Sequence, residues 1–251
     1  MPAPEQPPLI LLHAFPLDAR MFGRVRGMLP EIDLRTPDLP GFAGSDVPTT
    51  EPDLATYAAA VVGLLEGTGV ERAVIGGVSM GGYVALHVLA SRPDLVAGLV
   101  LADTRSTADT PGAAAGRLAK AADAERQGLP SGEDMVAPLL GPAANDGART
   151  EAAALAAAAS PAAFAWAQRA MAARPDTTAA LTAADLPTLV IVGADDAVTP
   201  PTDAAALAAA AGTGTAAATL VQIPGAGHLT PIETPAEFAA AVRDWYLAAF
   251  G

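Results

Sequence analysis

A serine between glycines stands in Gly77-Val-Ser-Met-Gly81, directly after the apolar run Arg72-Ala-Val-Ile-Gly76 and before a helix-like stretch, Met80 to Ser91. A serine hydroxyl is a weak nucleophile at neutral pH. It attacks a carbonyl only when a base beside it takes its proton and an acid orients that base. At a sharp strand-to-helix turn the backbone of such a serine is strained and its hydroxyl is lifted above the sheet. Gly77 and Gly81 must be small there, because a Cβ at either would collide in so tight a turn. The bland alternative is a glycine-rich junction with an incidental serine, and the position between strand and helix argues against it.

Three histidines can supply the base. His228 lies in Gly225-Ala-Gly-His-Leu229, past the last strand candidate and before the final helix, which puts it at the carboxyl edge of the sheet with Ser79. His87 falls two turns into the helix after Ser79 and reads as a packed or surface histidine. His13 opens the first loop and reads as a structural hydrogen-bonder, though its position keeps it among candidate substrate contacts. For the acid, Asp195 and Asp196 compete in Gly193-Ala-Asp-Asp-Ala-Val-Thr-Pro200, and Asp103 is a third candidate. All three keep the chain order serine, acid, histidine. Spacing alone does not separate the adjacent pair.

Those residues need a scaffold that brings loop ends together. Leu9–Leu12, Ile32–Thr36, Arg72–Gly76, Leu95–Leu101, Thr188–Val192 and Thr219–Ile223 are six short strand candidates, and most are apolar runs without polar alternation, as expected of strands buried on both faces of a parallel sheet. Helices alternate with them, which implies right-handed crossovers and an α/β fold. From about residue 105 to 184 the rhythm breaks. No strand-like run appears there, while Ser131 before Asp134 and Ser160-Pro161 mark helix starts. This predicts an all-helical insert of residues 105–184 between core segments 1–104 and 185–251. The insert has few bulky apolar residues, so little holds it down. Thr234-Pro-Ala-Glu237 predicts a capping box at the last helix.

Together these segments resemble the α/β-hydrolase family over essentially the whole chain. His13-Ala-Phe-Pro16 is similar to its H-G-F-P oxyanion loop, and Pro37-Asp-Leu-Pro-Gly-Phe-Ala-Gly-Ser45 to its P-D-L-P-G-x-G-x-S turn. Gly77–Gly81 resembles the nucleophile elbow, G-x-x-D-x-x-x-P falls on Asp196, and G-x-G-H falls on His228. The resemblance implies Ser79 as nucleophile, Asp196 as acid and His228 as base, with Asp195 a neighbour. It also implies an oxyanion hole of the Met80 and Phe15 N–H groups, and no metal or organic cofactor. Ala14 departs from the usual glycine. Only eight residues precede Leu9, so the family's N-terminal hairpin is expected to be missing, leaving a wholly parallel six-stranded sheet with a helical lid after the fourth strand. The likeness is to small esterases and 3-oxoadipate enol-lactonases, which implies cleavage of an ester or lactone. Cofactor-free perhydrolysis, other acyl transfer and a ligand-sensing role are the alternatives. Phe164 and Trp166 are candidate pocket residues, but two positions apart on a helix they cannot both face it. An anionic substrate would draw on Arg105, Arg117, Arg126, Arg149, Arg169 or Arg174.

The 251 residues carry 14 basic and 27 acidic side chains, a net charge of −13, with 51% hydrophobic and 16% charged residues. Such a chain is not disordered, and its alanines, about a quarter of all residues, suit helices. An acidic surface repels phosphate backbones and anionic lipid, so nucleic acid and membrane are not expected partners. The absence of cysteine excludes disulfides and thiolate chemistry without fixing the compartment; with no basic leader in Met1–Pro8 and no long apolar run, a cytoplasmic location is expected.

Overall fold

The computed structural model describes residues 6–216 and 218–251. Residues 1–5 of the N-terminal stretch in which no leader was recognised lie outside the described residues.

The chain enters at β1 (Leu9–Leu12), makes a short helix α1 (Gly23–Arg26) and reaches β2 (Leu34–Arg35). Then follow α2 (Leu54–Gly67), β3 (Ala73–Val78), α3 (Met80–Ser91) and β4 (Val96–Ala102). Five helices come next: α4 (Pro111–Gln127), α5 (Gly132–Val136), α6 (Asp146–Ala156), α7 (Pro161–Ala172) and α8 (Thr178–Ala183). The chain closes with β5 (Thr188–Gly193), α9 (Pro201–Ala211), β6 (Ala218–Ile223), α10 (Thr230–Glu233) and α11 (Pro235–Phe250). Among the described residues the strands form one six-stranded sheet in the order β2-β1-β3-β4-β5-β6, and every pairing is parallel.

The strand order reverses between β1 and β3, since the chain runs outward to β2 and then returns past its start. Loops leaving neighbouring strands at such a point turn to opposite faces and open a crevice at the carboxyl edge. The loop after β1 and the turn after β3 flank that crevice, and they carry Phe15 and Ser79.

The continuous apolar runs work as expected in the middle of the sheet, where β1, β3, β4 and β5 are buried throughout. Period-two alternation sorts their side chains. Ile10, Leu12, Ile75, Leu99, Leu101, Val190 and Val192 pack under α2, α3 and α9, while Leu9, Leu11, Val74, Val78, Val100, Leu189 and Ile191 pack against α11. Full burial of each such side chain stabilises by roughly 1.5–3 kcal/mol. The expectation of two covered faces fails at the edges. β6 is largely exposed, with Leu220 at 43%, and β2 shrinks to two residues paired with Leu9 and Ile10. A strand at the end of a sheet has a neighbour on one side only, and here the covering layer is thin.

The insert helices start where side-chain caps allow. Ser131 accepts from the Asp134 N–H and Ser160 from the Ala163 N–H, each at 3.1 Å. Within the insert α4 packs on α7 and α5 on α6. The contacts are made by small residues as much as bulky ones: Ala121, Ala124, Ala163, Ala167 and Ala170 are buried, whereas Leu118 is 49% exposed. Alanine faces let helix axes approach closely, which replaces the missing bulk. The capping box at Thr234 does not form. Thr234 also ends α10, and its hydroxyl donates back to the Thr230 carbonyl at 3.1 Å instead of accepting from α11.

Candidate active site

Ser79 sits between the end of β3 and the start of α3 with φ +53° and ψ −112°. A left-handed backbone on a residue with a Cβ costs about 1–3 kcal/mol, so the surroundings must impose it. They do. A Cβ on Gly77 would lie 2.3 Å from the Gly81 carbonyl carbon, and one on Gly81 would lie 2.1 Å from the Leu12 carbonyl oxygen. The Ser79 N–H donates to the Ala102 carbonyl at 2.9 Å, and its own carbonyl accepts from the Thr104 hydroxyl at 2.9 Å.

His228 Nε2 lies 2.8 Å from Ser79 Oγ, and His228 Nδ1 lies 2.8 Å from Asp196 Oδ2. Asp196 Oδ1 also accepts from the Val198 and Thr199 N–H groups at 2.8 and 2.9 Å, and Oδ2 from the Thr199 hydroxyl at 2.7 Å. Burial alone would raise the Asp196 pKa, but the bond and charge of His228 and the two Thr199 donors bring it below the ordinary carboxylate value. An ionised carboxylate only accepts, so Nδ1 carries the ring proton and Nε2 is left to accept from the serine hydroxyl. The arrangement can move a proton from oxygen to nitrogen without moving a heavy atom.

Of the other carboxylates that spacing left open, Asp195 is exposed, its N–H donating to the Ala226 carbonyl at 2.9 Å. Asp103 is fully buried at φ +46°, and the bonds of the His228 ring go to Ser79, Asp196 and Thr199, not to it. Its Oδ1 accepts from the Gly193 N–H at 3.0 Å and its Oδ2 from the Thr230 hydroxyl at 2.6 Å. Burial and the nearby Asp196 charge push its pKa well above the usual range.

Met80 opens α3, so its N–H has no carbonyl one turn earlier in the helix to accept it. Phe15 borders the same cavity as Ser79 and His228, with its ring 4.7 Å from that of Phe164. That cavity has a volume of about 880 Å³ and is roofed by the insert, where Arg117, Met135, Leu139, Phe164, Gln168 and Met171 line it. Trp166 does not line it. Two residues from Phe164, or about 200° around the helix, it packs on Tyr57 at 4.8 Å and donates from Nε1 to the Thr50 carbonyl at 3.1 Å.

His13 does not line the cavity either. It is fully buried, accepts at Nε2 from the Leu39 N–H at 3.1 Å and bonds the Ala14 carbonyl through Nδ1 at 3.2 Å. Burial lowers its pKa, which keeps the ring neutral, and it ties the loop after β1 to the turn at 37–45. The expected substrate contact is thus not made from this position: the ring braces the loop behind the cavity wall. His87 is half-buried on α3 and takes no part in the cluster.

Of the insert arginines only Arg117 borders the cavity, and Asp109 holds it at 2.6 Å. Arg174 pairs with the same carboxylate at 2.8 Å and stacks over Tyr83 at 4.1 Å. Arg105 pairs with Asp203, Arg126 with Asp123 and Arg169 with Glu125, and Arg149 bonds the Ala144 and Gly141 carbonyls. Among the described residues no cluster of three or more histidine or acidic side chains could hold a metal, and no helix is long and apolar enough to cross a membrane.

Residues 7–235 match the alpha/beta hydrolase fold family, and the chain belongs to it. Among solved structures it is similar to a thermophilic esterase from Thermogutta terrifontis, determined with malate bound, with 34% identity, a TM-score of 0.91, and coverage of 99% of this chain and 92% of the other. It shares the fold, at 22% identity and a TM-score of 0.84, with an enol-lactonase from Burkholderia xenovorans LB400, covering 97% and 92% of the two chains. In sequence it is 38% identical over 102 residues to lipase LipV of Mycobacterium tuberculosis, a match spanning 40% of this chain and 38% of that protein. The relatives thus include ester-cleaving hydrolases.

Proposed function

We propose that the chain is a serine esterase acting on a small ester through Ser79, His228 and Asp196. The observation that carries this reading is the pair of 2.8 Å contacts linking hydroxyl, imidazole and carboxylate at the floor of the cavity. Ser79 Oγ attacks the ester carbonyl carbon as His228 Nε2 takes its proton. The carbonyl oxygen becomes an oxyanion, held by the Met80 and Phe15 N–H groups; one such donor is typically worth about 10²–10³ in rate. The imidazolium, steadied by Asp196, returns the proton to the departing alkoxide and leaves the acyl group on Ser79. Water attacks the acyl carbon by the same route, releases the acid and restores the hydroxyl. The likeness to the 34%-identical esterase supports ester over other acyl substrates. In this reading α4 to α8 form a lid, because they roof the cavity that Ser79 opens into.

The test is turnover of p-nitrophenyl butyrate. Repeated turnover by the wild type, abolished in Ser79→Ala, supports the reading. A single acylation that then stalls, or turnover that survives Ser79→Ala, contradicts it.

A further inference from the structure

Glu233 closes α10, is 9% exposed, and pairs with no arginine or lysine among the described residues. Its carboxylate is held instead by three backbone N–H groups. Oε1 accepts from Leu229 at 3.0 Å, and Oε2 accepts from Gly227 at 3.1 Å and from Gly141 at 2.8 Å. Gly227 and Leu229 flank His228 in the chain. Gly141 belongs to the helical insert. The insert also holds His228 directly, because the His228 N–H donates to the Leu139 carbonyl at 2.8 Å. The approach is too close for side chains: a Cβ on Gly227 would lie 2.2 Å from the Gly141 nitrogen, and one on Gly141 would lie 2.7 Å from the Gly227 nitrogen. Leu139 and the neighbouring Met135 line the cavity above Ser79.

We infer that Glu233 is a positioning residue that locks the His228 loop to the insert, so that the wall of the cavity and the base move as one body. A carboxylate binding three N–H groups makes charge-assisted bonds, roughly twice as strong as neutral ones. Each of those N–H groups would otherwise be a buried donor without a partner, which destabilises the fold. The main chain on both sides of the imidazole is therefore fixed by one side chain, and the same side chain grips the segment that a substrate touches. Asp196 orients the ring about its own axis, whereas Glu233 sets where the ring is carried. The inference rests on His228 being the base.

The test uses Glu233→Gln, Gly141→Ala and their double variant, with active sites titrated by a phosphonate that labels serine. Glu233→Gln keeps the shape but can satisfy fewer of the three donors, and Gly141→Ala pries the joint from the insert side while leaving the carboxylate. Each single variant is expected to lower kcat per titrated site about 10–100-fold, as small misplacements of a reacting group do, with KM largely kept. Because both release one joint, the double variant should lose no more than the worse single. Unchanged kcat per titrated site in both variants, even with a lower melting temperature, overturns the inference, as do losses that multiply. If Glu233→Gln does not fold, Gly141→Ala decides alone by the same kcat criterion. Full turnover by Ser79→Ala would overturn the catalytic reading instead, so the two failures are distinguishable.

Discussion

His228 Nδ1 and Asp196 Oδ2 stand 2.8 Å apart on loops that leave different strands, β6 and β5, and the carboxylate is pinned by the Val198 and Thr199 N–H groups before it meets the ring. The acid is thus preorganised by its own turn, not by the histidine.

Replacing that acid with its amide leaves the shape and reverses the bond. Asp196→Asn can donate to Nδ1, which favours the tautomer with a proton on Nε2, where the serine proton must go. The expected result is a fall in kcat on the order of 10⁴-fold with the melting temperature nearly kept. Steady-state kinetics on a nitrophenyl ester, beside a thermal melt, checks both halves.

Phe164 and Trp166 should part company. Phe164 lines the cavity and Trp166 the packing beneath α7. Phe164→Ala is expected to shift chain-length preference toward longer acyl groups with a modest loss of stability. Trp166→Ala should lose about 3–5 kcal/mol of stability and leave chain-length preference alone. A panel of nitrophenyl esters with urea titrations separates them.

Asp103 gives a pH signature. Its folded pKa is raised, so the stability tied to its protonated form is fully present below the unfolded value near 3.8 and is lost as pH rises through the folded value. Asp103→Asn cannot ionise. Its melting temperature should therefore gain on the wild type between pH 4.5 and pH 8, by about 2–4 °C for each kcal/mol. A difference that is flat, or that shrinks toward alkaline pH, contradicts this.

At the turn, Gly81→Ala places a methyl group on the Leu12 carbonyl. Strand β1 or the Ser79 turn must shift, and the expected loss is at least about 1–3 kcal/mol, with activity falling further than stability. Urea denaturation and kcat measured on the same preparation test it.

The central strands were legible in the sequence because a parallel strand covered on both faces reads as an unbroken apolar run, as Val74–Ile75 and Leu99–Leu101 do. The edges were not. Ile32–Thr36 alternates apolar and polar residues as a strand can, yet two residues pair, and the apolar Leu220 stands in the open. Ser79 and His228 were visible from their glycine-rich surroundings and chain order. Asp195 and Asp196 were not separable by spacing, because the choice is made by a turn that aims one carboxylate at the Thr199 N–H and leaves its neighbour in solvent. Thr199 itself, three residues past Asp196, could have been found as the donor that closes such a turn. Glu233 left no trace: its partners are backbone N–H groups, one of them 92 residues away, and no residue type announces them.

The most direct measurement is intact-mass and peptide mass spectrometry after reaction with a serine-directed phosphonate, in wild type and His228→Gln. The account predicts one adduct, on the peptide containing Ser79, formed at least about 10³-fold more slowly when the imidazole is gone. An adduct on another residue, or labelling of Ser79 at an undiminished rate without His228, would contradict it.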